Sequence, residues 1–262
     1  QADVQIEFVL ATKAPNGVCF TGITRTYNPV ASNDGTQDQV GAIRNGNDVY
    51  NGDWPGNKYL NVFVVGTLSA PGSELITLGY TTFPAWGGQT MANGFHVIHN
   101  AVGSIGTGGS FDLGTSTHEI GHWLNLRHTW GNGNEPSVAD NCSMDDGVDD
   151  TPQCAGIQGG PCSPTNANPL NSCNNDDAYW GFDIQDQVEN YMDYAHCSIM
   201  FSEGQKQRMH NALNSGVGGR SNLWTGPNLI ATGADGNTSL CKADFSSGET
   251  TICSGNTIQF AD

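Results

Sequence analysis

His118-Glu119-Ile120-Gly121-His122-Trp123-Leu124-Asn125-Leu126-Arg127-His128 is the stretch of this 262-residue chain in which spacing dictates a chemistry. On a helix, His118 and His122 stand four residues apart, so both imidazoles leave one face about a turn apart. Two nitrogens are then within reach of a single metal ion, and Glu119, next to the first histidine, can hold a water against it. Asn125 tolerates the left-handed conformation better than most residues. A helix ending there in a sharp turn would swing His128 round as a third ligand. Three histidines and a water make the open tetrahedral zinc arrangement of catalytic rather than structural sites.

A plainer reading is an amphipathic helix with Ile120, Trp123 and Leu124 turned inward and the histidines and Glu119 in solvent. The third histidine at this spacing argues against it. Ser116-x-x-Glu119 also matches a capping box, which would occupy Glu119 with a backbone amide. A helix starting near Asp112 to Thr115 leaves that carboxylate free.

Around this stretch, the length suits one large domain, or one domain and a fragment. No run of eighteen apolar residues is present, so no membrane span is expected. Gln1 is not an initiator methionine and no charged-then-apolar leader follows it, which reads as a trimmed product. Nine Lys+Arg against 26 Asp+Glu give a formal charge of −17. That balance argues against nucleic acid or anionic membrane as a partner and suits calcium. The eight cysteines include no C-x-x-C pair, and their even number points to an oxidised, secreted protein.

In chain order, the alternation of Val4 to Leu10 predicts a strand. Val40, Ile43 and Val49 within Asn33 to Asn51 are spaced loosely for a helix. Leu60–Val65, Ile76–Thr81 and Gly94–His99 predict further strands, with His96 and His99 at an edge or on the surface. An extended peptide would add to the edge strand near Phe95 to Asn100. Strand, helix, strands and then the histidine-bearing helix give an α/β (α+β) class, a mixed sheet with that helix packed on one face. Thr129 to Glu189 has little periodicity, and so long a stretch needs tying down. Disulfides are one means, and a metal at Asp145-Asp146-Gly147-Val148-Asp149-Asp150-Thr151 is another. These carboxylates repel one another without a cation, although a solvated acidic loop is the simpler alternative. Ser202-Glu203-Gly204-Gln205 reads as a capping box opening a helix to about Asn214. Thr225-Gly226-Pro227-Asn228 reads as the start of a linker, 226–240.

Tyr191-Met192-Asp193-Tyr194, together with the extended histidine motif, resembles the metzincin metalloproteases. Gly121-His122-Trp123, Asp150-Thr151-Pro152 and Met200-Phe201 resemble the pappalysin, or cytophagalysin, branch. The resemblance implies a metzincin-like fold over 1–225. An upper subdomain (1–128) would carry a twisted sheet with backing and active-site helices. A lower subdomain (129–225) would be irregular and disulfide-tied, with one long helix. It implies zinc on His118, His122 and His128, Glu119 as general base and acid, Met192 as the floor beneath the metal, and Tyr194 beside the transition state. Calcium would lie in the loop holding Asp145, Asp146, Asp150 and Thr151. The family has glycine where this chain has Asn125. The resemblance pairs Cys142 with Cys173 and Cys162 with Cys197. Cys241–Cys253 would close a terminal hairpin and leave Cys19 with Cys154. Residues 241–262 resemble the opening strands of a PKD-type sandwich cut short, or form that hairpin.

The expected activity is that of a monomeric, secreted zinc endopeptidase acting on proteins or peptides. The rivals are a zinc exopeptidase, which needs a pocket for a free chain end, and a non-catalytic adhesion or binding module, against which the intact Glu119 argues. Relatives preferring a basic residue after the cut carry an acid between the Met-turn tyrosine and the next cysteine. Here only Ala195-His196 lies there, so no strong basic preference is expected unless Asp183, Asp186 or Glu189 substitutes.

Overall fold

The computed structural model describes residues 1–30, 37–44, 47–69, 72, 76–84, 94–103, 108, 114–159, 170–174, 180–236, 246–247 and 260–261. Its centre is a three-stranded mixed sheet of β1 (Asn61–Val65), β2 (Gly79–Tyr80) and β3 (Gly94–Ile98). β3 lies in the middle, parallel to β1 and antiparallel to β2. All five β3 residues are buried, as a strand covered on both faces requires. The stretch expected to offer a free edge near Phe95 is therefore the central strand, and β1 and β2 are the edges of the described sheet.

Cross-strand register explains a second departure. Phe63, His96 and Tyr80 are direct neighbours across the three strands. The His96 ring is stacked on Phe63 at 4.7 Å and on Tyr80 at 4.7 Å. His96 is thus 1 % exposed, not a surface histidine, and burial lowers its pKa to about 4. His99, just past the strand, is exposed as expected.

Helix α1 (Gln37–Arg44) contributes Ile43 to a core with Val65, Leu68, Phe95, Val97 and Ile98. Buried Gln39 donates to Thr67 O at 2.9 Å. Helix α2 (Thr115–Trp123) carries the histidine motif and packs against β2 and β3. Val4 to Leu10 makes no strand. Asp3 accepts from Gln5 N at 3.0 Å, and Gln5 turns to φ 55°, so the extended path breaks at its start. Phe8, Val9 and Leu10 stay more than half exposed.

Among the described residues from Leu124 to Phe201, order comes from side chains and a staple rather than from long elements. Cys142 and Cys173 are bridged, with Cα atoms 5.5 Å apart. Asn141 donates to Glu135 O and Ala155 O at 2.9 and 3.0 Å. Helix α3 (Glu203–Leu213) opens on the expected reciprocal capping box of Ser202 and Gln205. Its buried Met209 packs with Trp123, Leu124, Leu126, Met192 and Phe201 in a second core.

Two further expectations are corrected. Residues 226–240 do not begin as a linker: Gly226–Thr232 is helix α4, capped by Thr225 and closed by Gly233 at φ 67°. Thr12 N and Lys13 N both donate to Thr232 O, docking α4 on the N-terminal segment. Cys19 does not pair with Cys154, which is a free, buried thiol. Burial first, and then the nearby Asp193 charge, push this thiol's pKa far up. Cys19 pairs its backbone with Lys13, beside α4, and is disulfide-bonded there, as Cys197 is elsewhere. Cys162, Cys241 and Cys253 lie outside the described residues. Strands β4 (Ser246–Ser247) and β5 (Phe260–Ala261) form an antiparallel pair near the chain end.

Candidate active site

Helix α2 ends as the sequence requires. Asn125 N donates to His122 O at 2.9 Å and Leu126 N to Gly121 O at 2.8 Å, with Asn125 left-handed at φ 75°. These are the paired bonds of a Schellman closure with asparagine in the place usual for glycine. The turn brings His128 Nε2 to 3.1 Å from His122 Nε2. One ligand atom from each of His118, His122 and His128 falls within 4.8 Å of the others, the only such convergence of three among the described residues.

Each imidazole is held from behind by a backbone carbonyl. His118 Nδ1 faces Tyr191 O at 2.6 Å, His122 Nδ1 faces Leu126 O at 2.7 Å, and His128 Nδ1 faces Gly133 O at 2.7 Å. A carbonyl can only accept, so every Nδ1 carries the proton and every Nε2 presents a lone pair. Burial first, then the neighbouring histidine's charge, lower all three pKa values to about 3. The rings are neutral, with lone pairs converging. That donor set fits zinc, which takes neutral imidazole nitrogen in tetrahedral sites.

Glu119, 4 % exposed, sits on the same helix, and one of its carboxylate oxygens has no hydrogen-bond partner. Burial raises its pKa to about 8. The capping-box alternative for Glu119 is not realised: the N-cap is Gly114, and Ser116 lies inside the helix. Gly79 of β2 comes so close that a Cβ there would stand 2.9 Å from Glu119 Oε1 and 3.0 Å from Thr115 Cγ2.

The turn at 190–194 lies beneath. Asn190 Oδ1 accepts from Met192 N at 2.9 Å, and its amide donates to Gln205 Oε1 of α3 at 2.9 Å. Met192 is fully buried, its sulfur directly under Gly121. Asp193 accepts from Thr129 Oγ1, Ile157 N and Ala195 N, and burial raises its pKa to about 7. The Tyr194 ring lies 4.9 Å from His128 and 5.4 Å from His118. Burial and then the Glu119 charge push its pKa up to about 12, so the hydroxyl keeps its proton.

The acidic loop does not converge. Asp150 accepts from Ser202 Oγ at 2.7 Å and Gly204 N at 2.9 Å, anchoring the start of α3. Buried Asp146 accepts from Thr151 Oγ1 and Val148 N, while Asp145 accepts from Gly147 N and Gln153. Of the three carboxylates that could replace the missing acid near His196, two are engaged, Asp183 by Asn171 and Asp186 by Ser172; Glu189 is half-buried, and its backbone carbonyl accepts from Ile199 N and Met200 N.

Trp130 was not singled out by the sequence reading. Its ring lies flat on His128 at 4.4 Å, and its Nε1 donates to Gly133 O at 2.8 Å, the carbonyl that also holds His128. Gly156, at φ 75°, seals the ring, since a Cβ there would overlap it. The aromatic two residues past His128 was the available signal.

A helix with two histidines and a glutamate, a left-handed exit to a third histidine and a methionine turn beneath make a site that could hold a metal ion. Residues 42–214 match the model of the M43 peptidase family, described as pregnancy-associated plasma protein-A, and the chain belongs to that family. It is 33 % identical over 216 residues to extracellular metalloprotease 1 of Coccidioides posadasii, covering 78 % of this chain and 65 % of that protein. It is 32 % identical over 223 residues to an extracellular metalloprotease of Uncinocarpus reesii, covering 80 % and 66 %. The chain thus spans just under two thirds of the length of these relatives. Among solved structures, Tannerella forsythia mature mirolysin in complex with a cleaved peptide is similar, with a TM-score of 0.63 and 29 % identity. That match covers 88 % of this chain and 78 % of mirolysin.

Proposed function

We propose that this chain is the catalytic part of an extracellular zinc endopeptidase acting as a monomer on proteins or peptides. The observation that carries the reading is the convergence of three neutral imidazole lone pairs beside a buried glutamate. Family membership and the names of the relatives support it. Neither an exopeptidase nor a binding module is favoured by them. Among the described residues no helix is long and apolar enough to cross a membrane.

His118, His122 and His128 would hold the zinc, which when bound supplies Lewis acidity, lowering the pKa of a water to about 7 and polarising a carbonyl. Glu119 takes the proton of the attacking water and delivers it to the leaving amine. A cation beside Glu119 favours the carboxylate that this step needs, against the upward push of burial. The Tyr194 hydroxyl, still protonated, donates to the oxyanion developing on the scissile carbonyl. An extended peptide would pair with the β2 edge at Gly79–Tyr80, close to Glu119. Met192 keeps the floor dry and apolar.

For calcium at the 145–151 loop, the support is the density of carboxylates, and calcium would have to displace their present donors. Equilibrium dialysis against radioactive calcium decides that part. With only Ala195-His196 between Tyr194 and Cys197, no strong preference for a basic residue after the cut is proposed, and profiling of cleaved peptide libraries checks it. The main test is Glu119→Gln. It should retain stoichiometric zinc and lose about 10²- to 10⁴-fold in hydrolysis of an internally quenched peptide. An unchanged rate would overturn the mechanism.

A further inference from the structure

We propose that Arg208 is a positioning residue for the metal site, holding the carbonyl of Asn125 and so fixing the turn that delivers His128. The inference rests on the reading of the three histidines as zinc ligands. Arg208 projects from α3, not from the histidine helix. Its Nε donates to Asn125 O at 2.7 Å, and its Nη1 donates to Asp146 O and Gly147 O, both at 3.1 Å. Arg127 Nη1 reaches the preceding carbonyl, Asp145 O, at 3.3 Å. Three successive carbonyls are therefore gripped by two guanidinium groups.

The grip meets a need that the turn has. The Schellman closure uses the N–H groups of Asn125 and Leu126, while the Asn125 carbonyl accepts from Arg208 Nε. That carbonyl belongs to the negative end of α2, where a cation is favoured. A non-glycine residue at φ 75° is also disfavoured in isolation and needs surroundings that determine its geometry. The next carbonyl, Leu126 O, is the acceptor of His122 Nδ1, and His128 follows two residues later. Rotation of the Asn125–Leu126 peptide would thus disturb the second and third histidines together.

Arg208 is itself fixed. Its neighbour Met209 is buried against Leu124 and Leu126, and Asp150 holds the first turn of α3. Gly147, at φ 80°, makes room for the guanidinium, because a Cβ there would stand 2.8 Å from Arg208 Nη1.

The test measures zinc affinity by chelator competition, with the metal alone as probe, on the full chain carrying Arg208→Met, Arg208→Lys or Arg127→Gln. Thermal unfolding of each metal-free protein runs in parallel. Arg208→Met should bind zinc about tenfold more weakly, at the lower end of what supporting groups contribute to metal sites. Arg208→Lys, which keeps charge and stem and is the safer variant for folding, should be weakened a few-fold. Arg127→Gln loosens the same loop without touching Asn125 and should retain the parental affinity. Activity of the Arg208 variants should recover in excess zinc, which a fold defect would not allow. Folded Arg208 variants with the parental affinity would overturn the proposal, as would an Arg127→Gln loss as large as that of Arg208→Met. A parental chain that binds no zinc would instead overturn the reading of the histidines, and the proposal with it.

Discussion

Gly121→Ala probes the contact between the histidine helix and its floor. Gly121 lies between Glu119 and His122, and its φ is not left-handed, so the backbone accepts alanine. On helix propensity the change should stabilise by about 1 kcal/mol. Packing opposes it. The new methyl would overlap Met192 Sδ and lie 3.4 Å from Met192 Cε and 3.5 Å from Leu126 Cδ1. Comfortable separation is about 3.5–4.0 Å, so the sulfur must retreat by roughly 1 Å or more. Met192 is 0 % exposed, and overpacking of this kind costs about 1–3 kcal/mol. The net expectation is a loss of about 0–2 kcal/mol, a fall in melting temperature of up to about 8 °C at this chain length. Activity should suffer more than stability, because the strain enters the turn whose Tyr191 carbonyl holds His118. Calorimetry and peptide hydrolysis on Gly121→Ala, Met192→Ala and the double variant test this. The double variant should be better than the sum of the singles by about 1 kcal/mol or more, since removing the sulfur makes room for the methyl. Additive effects, or an alanine variant that is stabilised and fully active, would refute the packing argument.

Three other outcomes are expected. His96→Phe should stabilise by about 1–2 kcal/mol, because both buried ring nitrogens lack partners and orphaned polar groups cost about 1–3 kcal/mol; a lower melting temperature would count against it. Asn125→Gly should leave stability within about 0.5 kcal/mol, relief of left-handed strain offsetting glycine's entropy, while Asn125→Val should weaken zinc binding in the chelator assay. For the metal-free protein, the histidines held at about 3 contribute stability that is present above the ordinary histidine value and lost as pH falls toward 3. Glu119, raised to about 8, and Asp193, raised to about 7, act oppositely: their contribution is present below the ordinary carboxyl range and lost as pH rises through 7–8. Melting temperature in chelator should therefore fall on both sides of mildly acidic pH, and zinc should flatten both slopes; a chelated protein that gains stability from pH 6.5 to 8 would contradict this.

The metal site was legible because its information is local. A helical period, one residue tolerant of positive φ and a third histidine three residues on need no knowledge of the rest of the chain. The capping box of α3 is local in the same way. What depended on distant partners was not legible. Alternation from Val4 to Leu10 describes a strand but supplies no neighbour to pair with. His96 became an aromatic filling only through its register with Phe63 and Tyr80. Asp150 was read as one of several clustered carboxylates, whereas its partners are Ser202 and Gly204, more than fifty residues on. Thr225-Gly226-Pro227-Asn228 was readable and was misread: a threonine cap with proline in the first turn starts a helix as well as it marks a loop. Cysteine pairing was the least accessible, since nothing near Cys154 in sequence says that its thiol faces Thr129 and Asp193 rather than another sulfur.

The carbonyls of Leu126, Gly133 and Tyr191 that hold the three imidazoles have a consequence for how this site can be dissected and how it can drift. None of the three oxygens belongs to a side chain, so scanning substitutions at those positions leave the acceptors in place. The groups that set the tautomers are silent to ordinary mutagenesis and are reached only by changes to the main chain itself, such as replacing the amide that follows with an ester to weaken the carbonyl. By the same logic, residues 126, 133 and 191 are free to vary within what packing allows. The chemistry is written in the path of the backbone, and that path is what selection has to keep.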